Sequence, residues 1–150
     1  MPADTDLIKL YSTRILALAA DSPHTTRLDA PDASVKKRSP LCGSAVSVDV
    51  CVNAGRISAF GQDVKACALG QAAAAVTGGA ILGRTLPEVQ AARDALRTML
   101  KSGGDVPAAP FDGFDVLEPA RDFKNRHASI LLAIEATAEA MEQALQAHCA

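Results

Sequence analysis

Between residues 46 and 52 the chain alternates with a period of two: Val46, Val48, Val50 and Val52 are separated by Ser47, Asp49 and Cys51. That spacing predicts a half-buried strand. Asn-Ala-Gly at 53–55 turns the chain, and RISAFGQDVKA at 56–66 predicts a returning second strand and a third, kinked at Gly61, in a small antiparallel meander. Elsewhere the period is helical. In 5–20, Leu7, Ile8, Tyr11, Ile15, Leu16 and Leu18 fall on one face of an amphipathic helix. CALGQAAAAVT, from Cys67, is rich in the best helix former and is halted by Gly78 and Gly79, and its alanine row reads as close helix packing. Thr85-x-x-Glu88 with Pro87 is a capping-box start for a helix whose apolar face is Leu86, Val89, Leu96, Met99 and Leu100, stopped at Gly103-Gly104. After a Gly/Pro-rich loop and LEPARDF, a last long helix from about Arg126 buries Ile130, Leu131, Ile134, Met141 and Leu145. Residues 21–40, with three prolines and no sustained period, read as a linker over the surface, SVKKR at 34–38 included as a solvated loop.

Strands followed by helices predict one α+β domain over 1–150, a small three-stranded antiparallel sheet with helices packed on one face. Composition agrees: 49% hydrophobic and 21% charged residues suffice for a sizeable core. The net charge of -2, the absence of Trp and the lack of a Lys/Arg block leave no footprint for nucleic acid or an anionic membrane. No run approaches the ~18 apolar residues of a membrane span, and the first residues lack a signal-peptide pattern, so a cytoplasmic protein is expected. In that compartment four scattered cysteines, Cys42, Cys51, Cys67 and Cys149, are thiols rather than a disulfide framework.

Three candidate ligands stand at the ends of predicted elements. Cys42 precedes the first strand, with Gly43 behind it to let the backbone turn; Cys67 opens a helix, whose free N–H groups and dipole suit an anionic sulfur; His127 opens the last helix. Two thiolates and an imidazole suit zinc or the iron of an iron-sulfur site, and not calcium or magnesium. By contrast, Cys51 lies inside a strand and reads as a small buried hydrophobe, Cys149 as an exposed thiol near the chain end, and His24 and His148 as residues without partners. Read singly, Cys42, Cys67 and His127 fit a structural role about as well as a functional one.

LCGSAVSVDVCVNAGRISAFGQDVKACALGQAAAAV, followed by a capped helix and RDFKNRHASILL, resembles the NifU N-terminal/IscU/SufU family of iron-sulfur cluster assembly scaffolds. The order is Cys-Gly-x before a strand, a three-stranded meander, Cys-Ala at a helix start and His-x-Ser at the start of the last helix; the long segment between Cys67 and His127 is SufU-like. The resemblance implies an IscU/NifU-like fold. It also implies a site in which three cysteines and an aspartate hold zinc or a nascent [2Fe-2S] cluster, with sulfur supplied by a pyridoxal-phosphate cysteine desulfurase. Here the aspartate position is Ser44 and the third cysteine position is Ala128, and DFKNR stands where IscU-type members carry a chaperone-binding motif. What remains is a partial site of Cys42, Cys67 and His127 for iron, a [2Fe-2S] cluster or zinc, with Ser44 or Ser129 as weak oxygen neighbours. The expected protein is a non-enzymatic scaffold working with a cysteine desulfurase and other assembly proteins. The alternative is a clusterless paralogue that docks on one of them as a regulator. A metal-dependent enzyme ranks last, since Asp63, four residues before Cys67, is the sole acidic candidate for a general base.

Overall fold

The alternating valines form the middle strand of the sheet. In the computed structural model, which describes residues 12–39 and 43–149 apart from the side chains of His148 and Cys149, β2 (Ala45–Asn53) is flanked by β1 (Ala33–Arg38) and β3 (Arg56–Lys65), both antiparallel to it. The helices are α1 (Thr13–Ala20), α2 (Ala68–Ala80), α3 (Leu86–Ser102) and α4 (Lys124–Cys149), with a 3₁₀ helix, Asp112–Asp122, leading into α4. The α+β class and the three strands are as expected, but the strands are not the expected three. The third is β1, drawn from the segment read as a linker and solvated loop. Val35 is its one buried residue, and the charged side chains around it belong to an edge strand, where lysine and arginine discourage further pairing. Conversely, 56–65 is a single strand that continues through Gly61 without a kink.

Gly61 serves close approach instead. A Cβ there would run into the carbonyl oxygen of Thr26, because residues 22–32 wrap the free edge and outer face of the sheet. Gln62 N–H donates to His24 O at 2.8 Å along the β3 edge, the His24 ring meets Phe60 edge-on at 6.1 Å, and Val52 N–H donates to Asp32 Oδ2 at 2.8 Å. The middle of the outer face is therefore covered, and Asp49, expected on a solvated face, is 1% exposed. Cys51 is on that face too. It is half-buried, with its thiol 3.6 Å from Ala30 O, and so is not the core residue expected.

On the inner face Val46, Val48, Val50 and Val52 meet α4, which also lies against β1, α2 and α3. Helix α2 runs through Gly78 and Gly79 to Ala80, and at Gly78 Pro23 and the Gln62 amide approach closely enough to crowd a side chain. Buried alanines of α2 and α4 bring the two backbones together, as the alanine row predicts. Helix α3 has the predicted capping box: Thr85 Oγ1 accepts from Glu88 N–H at 3.4 Å, Glu88 Oε1 accepts from Thr85 N–H at 3.0 Å, and Gly103 ends the helix at φ 70°. Helix α4 starts two residues before the expected Arg126, and LEPARDF lies mostly in the 3₁₀ helix. In α1, Ile15 is buried, but Leu16 is 51% exposed, contrary to the expected apolar face; residues 5–11 of the predicted helix lie outside the described residues.

Asp49 anchors the wrapping segment. Arg27 donates to it twice, from Nε at 2.6 Å and Nη2 at 2.8 Å, Ser34 Oγ donates at 2.6 Å and Leu28 N–H at 3.0 Å. Chiefly through the Arg27 bond, and against the opposing effect of burial, the carboxyl is held down at about 2, from 3.8. A depressed carboxyl contributes stability that is complete above its unfolded pKa and is lost as pH falls through its folded one. Acid titration of unfolding should therefore show about 2 kcal/mol lost between roughly pH 4 and pH 2. Asp49→Asn should be less stable at pH 7 by a similar amount and lack this part of the acid limb; an unchanged limb would show that the node does not anchor the segment.

Candidate functional site

Cys67 ends the turn after β3 and is the N-cap of α2, at φ -65° and ψ 172°. Its thiol makes no capping hydrogen bond to the helix, so the half-buried sulfur faces outward from the first turn. There it meets α4: Sγ is 3.6 Å from Ser129 Oγ, which is 3.1 Å from Ser44 Oγ at the head of β2. Both hydroxyls are buried, at 1% and 4% exposure. The contact depends on Gly70, one turn into α2, where a Cβ would lie 2.7 Å from Ser129 Oγ and 2.7 Å from Ala66 Cβ. Strand, helix start and helix α4 thus converge on one thiol and two hydroxyls.

Cys42 lies outside the described residues, in the β1–β2 connection whose ends are tied by Ser39 N–H donating to Ser44 O at 2.8 Å. His127 is buried, and its Nε2 lies 3.0 Å from Ala120 O and 3.1 Å from Arg121 O, at the end of the 3₁₀ helix. Carbonyl oxygens only accept, so Nε2 donates to them, which in the neutral ring leaves the lone pair on Nδ1. An imidazole oriented by an N–H to a backbone carbonyl is the usual posture of a metal-ligating histidine. Two residues apart on a helix, His127 and Ser129 face different ways. His127 and Ala128 line a cavity of about 570 Å³ between α3, the 3₁₀ helix and α4, whereas Ser129 faces Cys67. The structure brings Cys67 to Ser44 and Ser129; among the described residues, no three side chains of His, Cys, Asp or Glu stand close enough to hold a metal ion.

The remaining candidates fall elsewhere. Asp63 is exposed on β3, opposite Ser47. Cys51 is on the outer face of the sheet, and the side chains of Cys149 and His148 lie outside the described residues. Sequence reasoning missed Gly70 and the cationic side chains Arg97, Lys101, Arg121 and Lys124 around the cavity. The positions 124, 128, 131 and 135 share one helical face and could have marked that wall.

No described helix is long and apolar enough to cross a membrane. A three-stranded antiparallel sheet with a long helix across its inner face, and a cysteine at the start of the helix after the sheet, defines an α+β fold of the IscU/NifU kind. Against solved structures, the chain superposes on the N-terminal part of a nitrogen-fixing NifU-like protein from Brucella abortus with a TM-score of 0.91 and 40% identity, covering 94% of this chain and 98% of that one. The chain belongs to this NifU-like N-terminal family. The same fold occurs, at 17% identity and a TM-score of 0.78 over 88% of this chain and 96% of that one, in a putative iron-sulfur cluster assembly scaffold protein for the SUF system from the thermophile Fervidobacterium islandicum. A hypothetical protein of known structure shares it at 22% identity, with a TM-score of 0.80 over 89% of this chain and 97% of that one. No protein-family profile matches the sequence, and no curated protein does.

The α2–α4 contact gives a paired test. At Gly70, overpacking at about 1–3 kcal/mol outweighs the helix propensity of alanine, about 1 kcal/mol. Gly70→Ala should therefore lower the denaturant midpoint, whereas Gly79→Ala, where nothing stands within 4 Å, should raise it. Equal effects at the two positions would mean that α2 and α4 are not in tight contact at Ser129.

Proposed function

We propose that this protein is a scaffold of iron-sulfur cluster assembly that receives iron, a [2Fe-2S] cluster or zinc as passing cargo through Cys42, Cys67 and His127. The observation that carries the reading is the 40% identity to a NifU-like protein over nearly the whole chain, with Cys67 at the start of α2 beside Ser44 and Ser129. The donors fit soft or borderline metals, a thiol sulfur at a helix start and an imidazole held by its Nε2–H with Nδ1 as the donor nitrogen. A cysteine desulfurase and other assembly proteins are the partners, and the protein itself catalyses no reaction. A cytoplasmic setting and a single domain over 1–150 complete the proposal.

The cargo is held loosely. With Ser44 and Ala128 at the family's aspartate and cysteine positions, up to two anionic ligands are missing. This same loss favours a second reading, a clusterless paralogue that binds a desulfurase or another assembly protein and regulates it. An enzyme using an open coordination position has less support, since Asp63 is exposed on β3 and not among the partners of Cys67.

Retention of zinc and of reconstituted iron against a chelator separates the readings. Cys67→Ser should release metal fastest, and His127→Ala should also weaken it. Ala128→Cys adds a thiolate next to His127 and should tighten retention by roughly tenfold, about 1.4 kcal/mol. If Cys67→Ser retains metal like the wild type while the protein still captures a cysteine desulfurase, the clusterless reading is the correct one.

A further inference from the structure

The cavity beside the start of α4, which His127 and Ala128 also line, carries cations that metal binding does not use. Its rim is cationic: Arg97 and Lys101 come from α3, Arg121 from the 3₁₀ helix and Lys124 from the first position of α4. Arg97 is paired with Glu135 at 3.0 Å and Arg121 with Glu118 at 3.1 Å, but among the described residues neither Lys101 nor Lys124 has an acidic partner within 4.0 Å. Arg121 also has a buried Nε–H with no acceptor. The floor is apolar, formed by Leu100, Ala128 and Leu131.

The placement of charge breaks a local rule. The first turn of α4 carries Lys124 and Arg126 and no acidic residue, although the N-terminal end of a helix is its positive end. Each such cation opposes the helix dipole, where aspartate or glutamate would be favoured. Stability alone does not select that pattern, and local rules are broken most often where a site is being built. A bound anion would offset the unfavourable placement of Lys124 and meet the two unpaired ammonium groups and the Arg121 guanidinium together, while Glu135, the one carboxylate in the lining, stays paired with Arg97.

The geometry points to a binding site for an organic phosphate in this cavity, with the phosphate groups at Lys101, Arg121 and Lys124 and the organic body over Leu100 and Leu131. A volume of about 570 Å³ is far more than a bare phosphate fills, and the apolar floor has no use for one. Guanidinium forks match phosphate oxygens two at a time, which favours phosphate over a single carboxylate. The site adjoins the proposed metal ligand, since His127 and Ala128 line the same cavity, but its cations lie beyond them and Ser129 turns the other way, to Cys67.

Calorimetry with three probes tests it. ADP carries charge and an organic body, pyrophosphate charge alone and adenosine the body alone. ADP should bind with a dissociation constant below about 1 mM, pyrophosphate more weakly and adenosine not measurably. The double variant Lys101→Gln, Lys124→Gln should weaken ADP by about tenfold or more, while Arg56→Gln, remote from the cavity, should leave it unchanged. Both lysines are exposed, so the fold should survive, and melting curves check this; should the double variant fail to fold, the two single changes serve in its place. The proposal is overturned if neither ADP nor pyrophosphate binds at several millimolar, if the lysine variants bind like wild type, or if an oligoglutamate peptide binds and the phosphates do not.

Discussion

A carboxylate that is 1% exposed holds the outer half of this molecule in place. Burying Asp49 removes a charge from water, a cost that only a complete set of partners offsets. The partners come from two places, Ser34 on the neighbouring strand and Arg27 with Leu28 in the wrapping segment. The same bonds that solvate the carboxylate therefore fasten residues 22–32 across the sheet. That segment closes the β3 edge through His24, crosses Gly61 and puts Pro23 against Gly78 of α2. With the middle of one face covered in this way, the helices pack on the other.

On the inner face α4 is a wall whose sides carry different chemistry. Its small residues let α2 approach until Gly70 touches Ser129, which brings the start of α2, and with it Cys67, to the head of β2. The sheet fixes the same helix by polar links, from Gln62 Nε2 to Ala74 O at 3.1 Å and from Gln71 Nε2 to Val64 O at 3.0 Å. A thiol at a helix start is thus located by a backbone contact, two amide bonds and a hydroxyl, none of which requires a metal to be present. The other side of the wall, from Lys124 to Glu135, has charge and a cavity instead.

What could be read from the sequence depended on how local its cause was. The valine alternation of β2 and the capping box of α3 are set within one element, and both form as expected. β1 was missed because Val35 is the one buried apolar side chain in ASVKKR, and a single residue shows no period. The burial of Asp49 was missed because its guanidinium partner is 22 residues away, in a segment without regular structure. The cavity draws its cations from three elements, so no window of sequence contains it. Cys67 and His127 could be named because each stands near a helix start, but spacing alone does not tell that successive faces of α4 take His127 and Ser129 in different directions.

If Ser44 and Ala128 stand at the family's anionic positions, as the resemblance implies, the change alters what the site needs as well as what it would bind. A carboxylate and a thiolate packed together repel each other and, once removed from water, require a cation to make the arrangement favourable. Ser44 and Ser129 instead satisfy each other at 3.1 Å with no net charge, and Cys67 adds a sulfur to the same hydroxyl at 3.6 Å. Such a neutral set carries no charge that needs a cation, so a metal would add to folding only what its own affinity supplies through mass action. On the proposed function, weak affinity and metal-independent folding would then have one origin. Under the scaffold proposal such a chain would be suited to pass its cargo on, and under the clusterless one to dock on a partner with no cargo at all. Both readings of this protein therefore share one physical basis, the exchange of charged ligands for hydroxyl and methyl groups.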